Sequence, residues 1–175
     1  MMVNKETLDL FLDSSTDSKY DSLKVLFIES AEQVVKDYLG YDPQLTDYTG
    51  LYLADGSSNK IQLKAKPVLT LKKITINGTE QDLSNFFCED EVLIKKVGCF
   101  GDRDLVYVEY AAGFEIIPGA IKDTILKIAA LKMAEIGNVG VQSKSYDNGG
   151  SRSYLNYTNF DKYLNSLSNL RIIRW

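Results

Sequence analysis

The sequence predicts an α+β fold: a helical bundle built on a long N-terminal and a central helix, with a small antiparallel β-sheet inserted between them and a short C-terminal helix plus tail. Three observations predict it. Apolar residues recur at steps of three and four before residue 40 and again over 118–136, the period of a helix face. Residues 48–112 change to short β-prone runs separated by turn residues. With 175 residues and 45% hydrophobic content, the chain is long enough for one well-buried core and short for two, so 1–175 is expected to form a single domain.

Within 1–40, NKETLDLFL at 4–12 reads as a short helix capped by Asn4, with Leu8, Phe11 and Leu12 on one face. After the polar interruption DSSTDSKYDS, the positions Tyr20, Leu23, Phe27, Ala31, Val34, Val35 and Tyr38 predict an amphipathic helix from about Asp17 to Leu39. Gly40 and Pro43 supply its stop. In the β insertion, 48–112, a turn is expected at Asp55-Gly56-Ser57-Ser58, and Asn77-Gly78 after a β-branched run is a hairpin signal. EVLIKKV and DLVYVEYAAG predict two more strands, the second with Val106, Val108 and Tyr110 toward the core and Leu105, Tyr107 and Glu109 away from it.

Pro118 opens the central helix, 118–136, which Gly137 ends. Ile125, Leu126, Ala129, Ala130, Met133 and Ile136 form one face, yet Ile121, Ile128, Leu131 and Ala134 lie elsewhere around the circumference. A helix apolar over most of its surface packs on more than one side, against its own domain or a neighbouring copy. Ile128 and Leu131 are the candidates for a subunit-subunit face. A flexible loop, 137–157, follows. The last helix, within 158–175, is predicted from Thr158 as cap, Asp161 three residues on, and Phe160, Tyr163, Leu164 and Leu167 at helical spacing. It ends in the apolar, basic LRIIRW.

The composition excludes several chemistries. The chain contains no histidine, which closes Ser-His-Asp, Cys-His and HExxH routes and leaves carboxylate, lysine or tyrosine chemistry. No acidic pair has a spacing that separates it from surface charge, and no catalytic, cofactor-binding or metal-ligating residue is assigned. CEDE at 88–91 reads as a solvated turn, with a cation site as the alternative. Cys88 and Cys99 are too few for a disulfide framework and are expected to be reduced. No apolar run could span a bilayer and no secretory signal is visible, so a cytoplasmic protein is expected.

The segment KSYDNGGSRSYLNY at 144–157 has the look of a phosphate loop, but neither the GxxxxGK[ST] nor the GxGxxG spacing, and it follows a helix. It reads as a mobile connector, or as a loop that a partner orders; Ser143, Lys144, Tyr146, Arg152 and Tyr154 would make that contact. GNVG at 137–140 matches the GxxG of KH domains without their flanking elements. Charge is uneven. Residues 1–143 carry net −7 and 144–175 net +3, which together make −4.

The order of segments carries a resemblance. FIESAEQVVKDYLGYD, then a β segment ending in VYVEYAAGFEIIPGAIKDTILKIAALKMAE, then GVQSKSYDNGGSRSY and a short helix resemble the head-tail connector family, the neck adaptors of tailed phages and prophages. YAAGF followed by IPGAIKDTILKIAALKMAE is the most telling piece, and the match runs from about residue 20 to 165. The resemblance implies a structural protein and no enzyme or cofactor. It implies a ring of identical subunits, usually twelve, beneath the portal protein and around the DNA channel, seating the next stopper or tail protein while DNA passes without sequence-specific binding. It also implies a place in the virion neck, with assembly in the host cytoplasm. Leu170, Arg171, Ile172, Ile173, Arg174 and Trp175 would engage the portal, with deletion of the segment expected to leave the free subunit's stability unchanged. Alternatives are another virion assembly protein such as a stopper or tail terminator, an unrelated oligomeric domain, and a small enzyme without histidine.

Overall fold

The computed structural model describes residues 1–12, 21–134, 143–145, 151–153 and 160–172. It is a mixture of helix and sheet in two compact units, Met1–Tyr38 with Pro118–Leu170, and Leu39–Ile117 with Arg171–Trp175. The helical parts meet although the β insertion separates them along the chain.

In the first unit, α1 (Lys5–Phe11) begins at Asn4, whose side chain accepts from the Thr7 N–H at 2.9 Å, the cap the sequence predicts. Leu8 is fully buried, whereas Phe11 is exposed. Helix α2 (Asp21–Leu39) follows, and Gly40 lies beyond its end; the proposed start at Asp17 lies outside the described residues. The buried stripe of α2 is rotated from the apolar one. Lys24, Ile28, Ala31, Glu32 and Val35 are buried, while Leu23 and Leu26 are exposed. Two charges occupy the inner face because distant residues satisfy them. The Lys24 ammonium lies 3.0 Å from Asp9 and 3.3 Å from Asp21, and the Glu32 carboxylate accepts the backbone N–H groups of Met2 and Val3. A pattern of hydropathy alone sets such residues toward water.

Helix α3 (Gly119–Ala134) starts after Pro118, whose carbonyl accepts from the Ile121 and Lys122 N–H groups. Pro118 is therefore the residue before the first turn, one step outside the predicted position. Ile121, Thr124, Ile125, Ile128 and Ala129 are buried within the chain, so α3 is enclosed on more than one side by its own unit. Helix α4 (Asp161–Leu164) continues as a 3-10 turn over Asn165–Leu170, burying Leu164 and Leu167 as the spacing predicts. Phe160 stands at its start without a side-chain cap; the predicted Thr158 cap lies outside the described residues.

The second unit holds two antiparallel sheets where the sequence predicts one. Strands β1 (Thr46–Asp55), β2 (Lys60–Gln62), β3 (Val68–Ile76), β4 (Thr79–Glu80), β5 (Phe86–Glu89), β6 (Val92–Lys95) and β7 (Asp102–Ala112) form a four-stranded sheet in the order β1-β7-β3-β4 and a three-stranded one, β2-β6-β5. The Asp55–Ser58 turn therefore passes the chain from one sheet to the other. Turn residues announce a reversal, but the partner of each flanking strand comes from far along the chain. The β3–β4 hairpin holds as predicted, with φ of 52° at Asn77 and 81° at Gly78, the double left-handed turn that suits strand twist.

Strand β7 is the centre of its sheet, between β1 and β3. Val106, Val108 and Tyr110 are fully buried, as the alternation predicts. The Tyr110 hydroxyl accepts the Lys64 N–H at 3.0 Å, and its ring stacks on Tyr48 at 5.6 Å. The core of this unit also takes Ile74 from the first sheet and Ile61, Leu93 and Phe86 from the second. At the end of β7, Gly113 donates to the Pro67 carbonyl and Phe114 to the Pro43 carbonyl, which ties the YAAGF turn to both neighbouring segments.

In the first unit, β8 (Ser143–Ser145) and β9 (Ser151–Ser153) pair antiparallel as a separate two-stranded sheet. The segment read as a flexible connector thus contains a hairpin, and its tip, 146–150, lies outside the described residues. Serine is a weak strand signal, so nothing local announced it.

Candidate functional site

Strand β1 carries an exposed apolar surface in the second unit. Its inner residues Gly50 and Ala54 are buried, which leaves Leu51 and Leu53 on the opposite, outer face, 57% and 70% exposed. The β1–β7 ladder sets Leu53 beside Leu105 and Leu51 beside Tyr107. Leu105 is itself 45% exposed, so a strip of apolar side chains crosses two strands in water. An apolar strip on a strand at the edge of a sheet is a place where another chain can add. Farther along the same face, Lys72 meets the Asp47 carboxylate at 2.6 Å, closing the strip with a solvated ion pair.

Beside this strip lies a groove of about 510 Å³, lined by Leu51 to Asp55, Ser58 and Lys60 to Lys64. Its walls are β1 and β2, each the outermost strand of its own sheet. The Lys64 ammonium sits 6.0 Å above the Tyr52 ring on one wall. At the far end, Asp55 accepts the Ser57 N–H, which holds its carboxyl below the usual range and keeps it ionised. The ladder places Asp102 opposite Asp55, and both are exposed. Chemically, the surface can receive an apolar segment.

The residues singled out in the sequence fall in different places. Ile172 is buried, and its N–H donates to the Leu39 carbonyl at 3.1 Å, so it belongs to the fold of its own chain. Leu170 is partly buried and Arg171 exposed; Ile173, Arg174 and Trp175 lie outside the described residues. Ser143, Lys144 and Arg152 lie in the β8–β9 ladder, whereas Tyr146 and Tyr154 lie outside the described residues. Of the helix pair, Ile128 is fully buried in its own unit and is no surface for a neighbour; Leu131 is half-buried. A period count locates apolar positions but not the element that covers them.

CEDE forms the β5–β6 turn. The carbonyls of Asp90 and Glu91 accept the N–H groups of Val68 and Leu63, and the Glu91 carboxylate lies 3.6 Å from the buried Lys66 ammonium. Among the described residues no group of three or more acidic or cysteine side chains is arranged to hold a metal. Both cysteines are free thiols, and burial pushes Cys88 up to about 11. Among the described residues no helix is long and apolar enough to cross a membrane.

The β1 surface escaped the sequence reading because YTGLYLAD is apolar on both alternating sets. Leu105 lies on the outward set of its strand, as the alternation predicts. Pairing that strand with β1 in register would have found Leu53.

No family model matches the chain, and no curated protein matches it in sequence. Solved structures do match. The neck of an empty gene transfer agent particle, computed with C6 symmetry, contains a chain that superposes with a TM-score of 0.59 at 12% identity, over 99% of this chain and 91% of that one. The two share a fold. A chain in the neck of the native particle, computed with C12 symmetry, gives a TM-score of 0.56 at 11% identity, covering 90% and 86%. A chain of the native gene transfer agent virion gives 0.58 at 13%, covering 94% and 83%. The agreement runs through both units, so it is a likeness of the whole chain.

Proposed function

We propose that this protein is a structural head-tail connector, an adaptor that forms a ring of twelve identical subunits in the neck of a phage-like particle. The observation that carries the reading is the shared fold with neck chains over nearly the full length of both partners, 99% and 91%. The neck structures were computed with sixfold and twelvefold symmetry, which suits a subunit repeated about an axis. A ring closed by rotation needs two different sticky surfaces on each subunit. The β1 strip supports one of them. The absence of histidine favours a structural over a catalytic role.

In this role the ring sits beneath the portal, surrounds the DNA channel and seats the next neck or tail protein, after assembly in the host cytoplasm. Net −7 over residues 1–143 suits a wall past which DNA slides, since tight phosphate contacts need lysine and arginine. The segment Leu170 to Trp175 is the part that would engage the portal, through Arg171, which is exposed, and the residues after Ile172, which is itself buried in the subunit. Reconstruction of the neck from purified particles tests the reading. Density for this chain as a ring adjoining the portal is expected. Density for it at the lower end of the neck or at the tail tube would instead make it a stopper or terminator.

A further inference from the structure

We propose that the groove beside β1 receives the outer face of helix α1 from a second copy of this chain, and that this contact closes the ring. The inference rests on the ring reading and names its interface.

The donor is a helix face that looks into water. Glu6, Thr7, Leu10 and Phe11 recur at the spacing of adjacent turns, and all four are exposed on the side opposite the buried Leu8. Leu10 is 83% exposed and Phe11 43%, two large apolar side chains next to each other in the chain. The inner side of α1 is committed to its own unit, where Lys5 meets Asp21 at 2.7 Å and Asp9 meets the buried Lys24 at 3.0 Å. Those contacts fix the helix and leave its outer face to another chain.

The acceptor complements it in hydropathy and in charge. Leu51, Leu53, Ile61 and Leu63 give the groove of about 510 Å³ its apolar lining. Lys60 and Lys64, both exposed, line it too, against a single acid among the described residues, Asp55, whose carboxylate already accepts the Ser57 N–H at 3.0 Å. The groove therefore carries an excess of positive charge, and α1 offers the opposite sign, since exposed Glu6 lies one turn before Leu10 on the same face. Seating Leu10 and Phe11 among the leucines brings the Glu6 carboxylate to the two ammonium groups, and such complementary charges set the register of an interface. Each copy gives one α1 and offers one groove. Donor and acceptor are different surfaces, so the contact is heterologous and repeats around an axis.

Photocross-linking tests this. Leu10→p-benzoylphenylalanine in the full chain changes an exposed position and leaves the core intact. Irradiated under conditions where mass photometry shows rings, it should join peptides containing residues 51–64 of another copy. Charge exchange provides a second readout. Glu6→Lys should weaken association roughly tenfold, as should Lys60→Glu with Lys64→Glu, and combining all three should restore it. Glu6 also sits in the first turn of α1, where a carboxylate favours the helix, but a loss of that kind is not recovered by changing the groove. Rings whose cross-links fall elsewhere, within one copy or on another neck protein, overturn the inference and leave the ring reading standing. So does a triple variant no better than Glu6→Lys alone. Failure of the unsubstituted chain to form rings, alone or on portals, overturns both.

Discussion

Gly113 is a residue on which neighbouring backbone converges. Its φ is +111°, and a Cβ there would lie 2.5 Å from the Gln44 carbonyl oxygen and 2.9 Å from the Leu45 nitrogen. Gly113→Ala is expected to lower the unfolding free energy by about 3 kcal/mol, from strain and overlap together; urea unfolding that shows no loss would disprove it. Lys24 makes a second case at this scale. Asp9→Ala removes the carboxylate 3.0 Å from the buried ammonium and should cost about 3 kcal/mol. Lys24→Met strips both carboxylates of the ammonium and leaves the Asp9 Oδ1 buried, so it should be destabilising as well. The same melts read both. Lys5 and Asp21 add a pH dependence. The Lys5 hydrogen bond holds the Asp21 carboxyl below its usual 3.8, so that stabilisation is lost as pH falls through the depressed value. The Asp21 hydrogen bond raises Lys5 above 10.5, so its contribution is lost as pH climbs through the raised value. Asp21→Asn should therefore destabilise at about pH 7, with the difference from the parent shrinking as pH falls through the depressed Asp21 value.

Among the elements, the segment after α4 behaves differently from the sequence expectation. Ile172 is 5% exposed and bonded to Leu39, so a chain ending at Leu170 loses apolar burial of about 2–3 kcal/mol. Its thermal midpoint should fall. An unchanged midpoint would return the segment to a purely external role. The second sheet offers a chemical check: Cys99 is exposed, whereas Cys88 is half-buried with its thiol pushed up to about 11. A disulfide reagent at neutral pH should label Cys99 quickly and Cys88 slowly, since the thiolate is the reacting species. Equal rates would show that β5 opens readily.

For the whole molecule, the exposed leucines separate folding from assembly. Leu51→Glu and Leu53→Glu change side chains that bury little, so the free subunit's stability should move by no more than about 0.5 kcal/mol. Ring formation should be lost, as seen by mass photometry. Assembly that survives both changes would remove the β1 strip from the interface. Ile128→Asp marks the contrast, because it places a charge inside the subunit and should unfold it before any question of assembly arises.

The sequence by itself determined the helices, their caps at Asn4 and stop near Gly40, the Asn77-Gly78 hairpin, and the inward set Val106, Val108 and Tyr110. Those depend on neighbours within a few residues, where periodicity and turn chemistry act. It also determined the resemblance to neck adaptors, through the order of segments and YAAGF, and the fold shared with neck chains agrees with it. Only the tertiary structure decided that the strands form two sheets, that Lys24 and Glu32 turn inward, that Ile128 and Ile172 serve the subunit itself, and that Leu51 and Leu53 face water. Each of those depends on a partner far along the chain: Asp9 for Lys24, Met2 and Val3 for Glu32, Leu39 for Ile172, and β7 for β1. An apolar residue carries the same hydropathy whether its own chain or another covers it, and folding alone distinguishes the two.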